Sequence, residues 1–84
     1  MPPAPSQLLL FILKLLVDEN GPIHRDTVRK KAEEEGLPFD SKKFRNVLNQ
    51  NKPKYFTLME ATLLVTDYGK EYLKGHPYHN GVGE

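Results

Sequence analysis

Tyr55-Phe56-Thr57-Leu58-Met59-Glu60-Ala61-Thr62-Leu63-Leu64-Val65-Thr66-Asp67-Tyr68-Gly69-Lys70-Glu71-Tyr72-Leu73 is the stretch from which the fold is read. Tyr55 to Leu58 and Thr62 to Val65 are short runs of aromatic, β-branched and aliphatic residues, the types that favour strands. Only Met59-Glu60-Ala61 separates them, so they read as a β-hairpin. The turn lacks an Asn-Gly type signal and leaves the register open. Thr66-Asp67 then caps a short helix over 67–74, with Tyr68, Tyr72 and Leu73 as its packing residues and Gly75 as its stop.

Working toward the N-terminus, Asp40 is a good N-cap for a helix over 41–50 in which Phe44, Val47 and Leu48 recur at i, i+3 and i+4. Pro53 forbids its continuation. A helix over 25–35 precedes it, closed by Gly36 and packing through Val28 and Ala32, with Ile23 and Leu37 completing the contact. Ile23 stands as a short inward-facing strand segment after the break at Asn20-Gly21-Pro22. The first helix is expected over 6–19 with Ser6 as N-cap. Its Leu8 to Leu13 cover the whole circumference rather than one stripe, which predicts that a second copy of the chain or another protein packs against it. Residues 1–5, rich in proline, read as an extended leader, residues 6–75 as one domain, and residues 76–84 as a loose tail. The fold class is therefore mainly α with a small β-hairpin (α+β), in the order helix, short strand, helix, helix, hairpin, helix.

Composition sets the outer limits. At 84 residues the chain supports one domain with a modest core. With 38% hydrophobic and 27% charged residues it is neither disordered nor membrane-spanning in composition. The apolar run from Leu8 to Val17 is about half of the roughly 20 residues a bilayer crossing needs. It also lacks a preceding basic region and a small-residue cleavage site, so an intracellular location is expected, in cytoplasm, nucleoid or nucleus. There is no cysteine, which removes disulfides, thiolate metal sites and cysteine nucleophiles together. A formal charge of +1 predicts no strong attraction to polyanions, so any case for nucleic acid rests on where the charges lie.

In that order of elements the chain resembles the winged helix-turn-helix family of the bacterial and archaeal type, over residues 6–75. Three segments carry the likeness: Gly21-Pro22-Ile23 ahead of a polar-started helix, the Asp40-Ser41 start of the third helix after a glycine-containing turn, and the run from Leu64 to Leu73. The last is similar to the family's Leu-Thr-x-x-Gly-x-x-x-Leu ending. The resemblance implies a third helix suited to a DNA groove. The same fold also serves regulators, replication appendages and pure protein-interaction modules.

The residues themselves point the same way. Opposite Phe44, Val47 and Leu48, the third helix presents Lys42, Asn46 and Asn49, flanked by Lys43, Arg45 and Gln50. Arg and Lys address guanine acceptors or phosphates, and Asn and Gln can bond an adenine edge twice, which is what a helix in a major groove requires. Between Asp40 and Lys54 the bases are Lys42, Lys43, Arg45, Lys52 and Lys54, against Asp40 alone. Phosphate contacts are expected from Lys52, Lys54 and Arg25. An ordinary solvated helix face carries the same residue types. The acidic hairpin turn and Glu33-Glu34-Glu35, read as i+4 partners of Arg29, Lys30 and Lys31, also reduce the basic footprint.

The leading expectation is accordingly a non-enzymatic module that binds double-stranded DNA, in transcriptional regulation or another DNA transaction, and self-associates through helix 6–19. The alternative is a protein-interaction winged helix that docks through helix 6–19, the acidic turn and an outward Leu64. Tyr55 or Phe56 is expected to pack beneath the hairpin rather than stack on a base, and His24 to be a surface histidine. His76 and His79, three apart, fall short of a structural zinc set. No phosphate loop, catalytic triad or carboxylate pair is recognisable, so no cofactor, metal or small-molecule substrate is expected.

Overall fold

A computed structural model describes residues 7–76 and residue 78. The elements are α1 (Gln7–Glu19), β1 (Ile23–His24), α2 (Arg25–Glu35), α3 (Ser41–Asn51), β2 (Phe56–Met59), β3 (Thr62–Val65) and α4 (Asp67–Gly75). The result is a mostly helical α+β fold whose three antiparallel strands lie in the order β1-β3-β2. The order of elements is the one read from the sequence. Ser6, expected to cap α1, lies outside the described residues, as do the proline-rich leader and most of the tail.

Side-chain chemistry sets the helix starts. His24 Nδ1 accepts the Asp26 N–H at 3.1 Å, Asp40 Oδ1 accepts the Lys43 N–H at 2.8 Å, and Thr66 Oγ1 accepts the Gly69 N–H at 3.0 Å. Each satisfies one of the donors that a helix N-terminus leaves without a carbonyl. At the other ends, Asn20 at φ 54° closes α1 and Gly36 at φ 85° closes α2, with the Gly36 N–H shared between the Ala32 and Glu33 carbonyls. Two boundaries differ from expectation. α3 runs one residue further, to Asn51, whose side-chain amide donates to the Val47 carbonyl at 2.7 Å. α4 includes Gly75 and is closed by the His76 N–H on the Tyr72 and Leu73 carbonyls, so Gly75 is not its stop. The chain leaves α3 through a cis Lys52–Pro53 peptide bond.

The hairpin register pairs Phe56 with Val65, Leu58 with Leu63 and Met59 with Thr62, while Ile23 of β1 meets Leu63 from the other side. Period-two alternation then turns Phe56 and Leu63 into the core and Met59 and Leu64 outward. The turn is only Glu60-Ala61, at φ 51° and 64°. Left-handed backbone at both central residues is what a type I′ two-residue hairpin demands, and neither residue is the usual Asn or Gly. The turn does not swing free, because the Ala61 carbonyl accepts the Arg25 N–H at 2.7 Å.

α1 is the central element. Leu8, Leu9, Leu10, Phe11, Ile12, Leu13 and Leu16 are all buried, and α1 touches α2, α3, α4 and β3. Most of these side chains share one cluster with Ile23, Val28, Ala32, Phe44, Val47, Leu48, Phe56 and Leu63. Each fully buried Leu, Ile or Phe contributes roughly 1.5–3 kcal/mol, so this cluster is the main stabilising term. The chain therefore covers its own apolar helix. Among the described residues, α1 leaves only Leu15 and Val17 of its apolar side chains half-buried, a narrower surface than the one from which self-association through helix 6–19 was expected.

Two further contacts bear on the tail and on α2. Tyr78, in the stretch expected to be loose, donates its hydroxyl to Glu35 Oε2 at 2.9 Å and meets the Phe11 ring edge-on at 5.5 Å. Burial, followed by the Glu35 bond, pushes its phenol up to about 12. Among the described residues none of Arg29, Lys30 and Lys31 forms an ion pair with Glu33, Glu34 or Glu35; Glu35 serves the tail instead.

Candidate nucleic-acid interface

α3 is anchored by Phe44, Val47 and Leu48, all buried, and these three fix which face of the helix meets solvent. Lys42, Lys43, Arg45, Asn46, Asn49 and Gln50 are all exposed. None of the three cations among them enters an ion pair within the described residues. The outer face thus keeps its full charge and hydrogen-bonding capacity for an external ligand. Asp40, the one acid nearby in sequence, is spent on the helix cap through the Lys43 N–H.

The remaining expected contacts separate into two places. Lys52 and Lys54 are exposed beyond the end of α3. Lys54, however, points its ammonium at rings of its own chain, 4.8 Å from the centre of Tyr68 and 5.6 Å from that of Tyr55. Such cation–π contacts hold a lysine by about 0.5–1 kcal/mol at an exposed site, which a phosphate contact would have to exceed. Tyr55 is half-buried, 5.2 Å from Tyr68 and 4.8 Å from Tyr72, and burial first, then the Tyr68 phenol, pushes its own phenol above the usual range. Phe56 is fully buried. These rings join α4 to the hairpin, as expected for the aromatics of this segment. Tyr68 itself is 49% exposed, more than a packing residue of α4 was expected to be, and Tyr72 stacks on His76 at 4.4 Å.

Arg25 belongs to a different group of side chains. With Arg29 of α2 and Arg45 and Asn49 of α3 it lines a cleft of about 290 Å³, whose walls also include Ser41, Phe44, Leu48 and Leu58. The structure therefore brings together Arg25, Arg45 and Asn49 of the expected set and adds Arg29, which sequence reasoning had paired with Glu33. The available signal was the i,i+4 spacing of Arg25 and Arg29, which places them on one helix face. Asp26 is the single acid in the lining, and its carboxylate lies 3.8 Å from His24 Nδ1.

The hairpin contributes no cation beside α3. Its tip is Met59, 73% exposed, and Glu60. His76 is exposed, His79 lies outside the described residues, and among the described residues no group of three His, Cys, Asp or Glu side chains is placed to hold a metal ion. No helix of the described residues is long and apolar enough to cross a membrane. No family model matches the chain, and no curated protein and no solved structure is significantly similar to it.

Proposed function

We propose that the chain is a winged-helix module that binds double-stranded DNA through α3, in a binding rather than a catalytic role, within transcriptional regulation or another intracellular DNA transaction. The observation that carries the reading is the outer face of α3. Lys42, Asn46 and Asn49, with Lys43, Arg45 and Gln50 beside them, are exposed, and the cations among them are unpaired within the described residues. A helix held by three buried residues is rigid enough to place these groups in a groove as a set, with phosphates fixing its register.

Titration of a labelled duplex at increasing salt tests it. Affinity should fall with a log–log slope of about −0.9 for each phosphate neutralised, and Lys42→Ala with Asn46→Ala should weaken binding without unfolding the domain. Absence of binding at low salt, or binding unchanged in the double variant, overturns the proposal.

A second reading, a protein-interaction module, draws on the outer face of the hairpin, where Met59 and Leu64 stand 73% and 46% exposed. Two such side chains make a small patch, and α1, its other intended surface, is buried. Met59→Ser with Leu64→Ser leaves DNA affinity intact under the first reading and abolishes partner capture under the second.

A further inference from the structure

We propose that the cleft between α2, α3 and β2 is a nucleotide site that takes one unpaired nucleotide, its phosphate held by Arg25, Arg29 and Arg45 and its ring resting on Leu58 and the adjoining edges of Phe44 and Leu48. The proposal rests on and deepens the nucleic-acid reading of α3, since Arg25, Arg45 and Asn49 belong to both surfaces, and it adds Arg29 and the apolar wall of Leu58, Phe44 and Leu48.

Charge is the first ground. Three arginines line one cleft, and none forms an ion pair within the described residues. Against them stands Asp26, which leaves the lining at a net +2 (three arginines less one aspartate). Like charges gathered at one concavity repel each other, and an anion that enters removes that repulsion while gaining charge-assisted hydrogen bonds from planar, forked donors matched to phosphate.

Shape and lining are the second ground. A patch that reads only backbone phosphates needs no concavity and no apolar wall. This cleft has both: a volume of about 290 Å³, and Leu58, half-buried, beside Phe44 and Leu48. The volume lies at the low end of the roughly 300–1,000 Å³ typical of small-molecule sites, which suits one ring and one phosphate rather than an extended ligand. Guanidinium planes stack on bases, apolar walls accept a ring face, and the Asn49 amide and Ser41 hydroxyl supply edge donors and acceptors. Bases of an intact duplex are stacked inside the helix and cannot enter, so the ligand is a nucleotide at a strand end, in a loop or free in solution.

The test is a set of parallel titrations of the labelled full chain at constant ionic strength, read by backbone amide and arginine Nε–H resonances. The probes are adenosine 5′-monophosphate, adenosine and inorganic phosphate. The expected result is that the nucleotide binds about ten-fold or more tighter than either fragment and shifts Arg29, Arg45 and Asn49, and that Arg29→Ala weakens it about ten-fold. Lys42→Ala with Asn46→Ala, outside the cleft, should leave it unchanged. In a second arm, a duplex with a short single-stranded overhang should bind more tightly than its blunt counterpart, with the difference lost in Arg29→Ala; an overhang without advantage beside a tight free nucleotide assigns the site to free nucleotide. Equal affinity for phosphate and nucleotide reduces the cleft to an anion patch and overturns the proposal, as do shifts confined to residues elsewhere. Loss of duplex binding by α3 with nucleotide binding retained sinks the groove reading alone, and the converse sinks the cleft alone.

Discussion

Gly69 and Gly75 lie six residues apart in α4, and replacing each by alanine is expected to change stability in opposite directions. Gly69 is the third residue of the helix, buried against the chain entering β2. A Cβ added there falls 2.1 Å from the Tyr55 carbonyl oxygen, 3.1 Å from its carbon and 3.0 Å from Val65 Cγ2, where ordinary contact begins at 3.4 Å. The Tyr55 carbonyl cannot yield easily, because it accepts the Thr66 N–H at 3.1 Å, and the next anchor, Thr66 Oγ1 on the Lys54 carbonyl, is 2.6 Å long. Relieving the overlap means moving α4 outward by more than 1 Å, 3.4 less 2.1. Both hydrogen bonds are then strained or lost, at about 1 kcal/mol each. Overpacking adds about 1–3 kcal/mol, and the better helix propensity of alanine returns at most about 1 kcal/mol. Gly69→Ala should therefore destabilise by about 2–4 kcal/mol, which for a domain of this size lowers Tm by on the order of 10–25 °C. Around Gly75 nothing lies within 4 Å of the added Cβ and no left-handed φ is required. Gly75→Ala should stabilise by about 0.5 kcal/mol through the unfolded chain's lost freedom. Urea unfolding followed by far-UV circular dichroism reads both. A Gly69→Ala midpoint within experimental error of the parent, or a change of the same sign in both variants, would show that α4 does not press on Tyr55 as described.

Three further outcomes follow from local geometry. Glu60→Asn combined with Ala61→Gly puts the residues suited to left-handed backbone at the two positions that need it, and should raise stability by about 1–2 kcal/mol; an unchanged or lower urea midpoint would contradict the two-residue turn. Asp40→Ala removes the acceptor of the Lys43 N–H and should cost about 1 kcal/mol, with Asp40→Asn recovering most of it. Tyr78 has its folded-state pKa raised from 10.0 to about 12, so its contribution is full below pH 10 and is lost as pH climbs toward 12, where the unfolded chain ionises first. Relative to Tyr78→Phe, the parent protein should lose stability across that window, and parallel midpoint-against-pH curves for the two would refute the Glu35 bond.

Much of the fold was legible because its signals are local. Asp40, Thr66 and Gly36 act within one turn of the chain, and Phe44, Val47 and Leu48 define a face by spacing alone. The hairpin was legible as a pair of strands, but its register was not, since Glu60 and Ala61 occupy turn positions where a sequence reader looks for glycine. The cover of α1 is illegible for a different reason. Its apolar circumference is plain, yet the residues that cover it, among them Ile23, Val28, Ala32, Phe44, Phe56, Leu63 and, from α4, Tyr72 and Leu73, come from every later element of the chain. A sequence states how much surface needs cover and says little about how many scattered residues converge to provide it.

The site divides along the same line. The outward chemistry of α3 follows from helical periodicity once the core face is known, so Lys42, Asn46 and Asn49 could be named in advance. Arg29 could not. It had been paired with Glu33 by the i,i+4 rule, but such a pair contributes only about 0.2–0.5 kcal/mol at an exposed site, too little to hold two long side chains against their own rotamer freedom. Among the described residues that pair does not form, and Arg29 faces a cleft with Arg45, which lies sixteen positions away. Lys54 went the other way: expected at a phosphate, it lies over Tyr55 and Tyr68, two rings that flank the hairpin. Where the local preference of a surface cation is worth a fraction of a kcal/mol, tertiary neighbours decide where it points. Arg29 and Lys54 are therefore the side chains on which sequence and structure had most room to disagree.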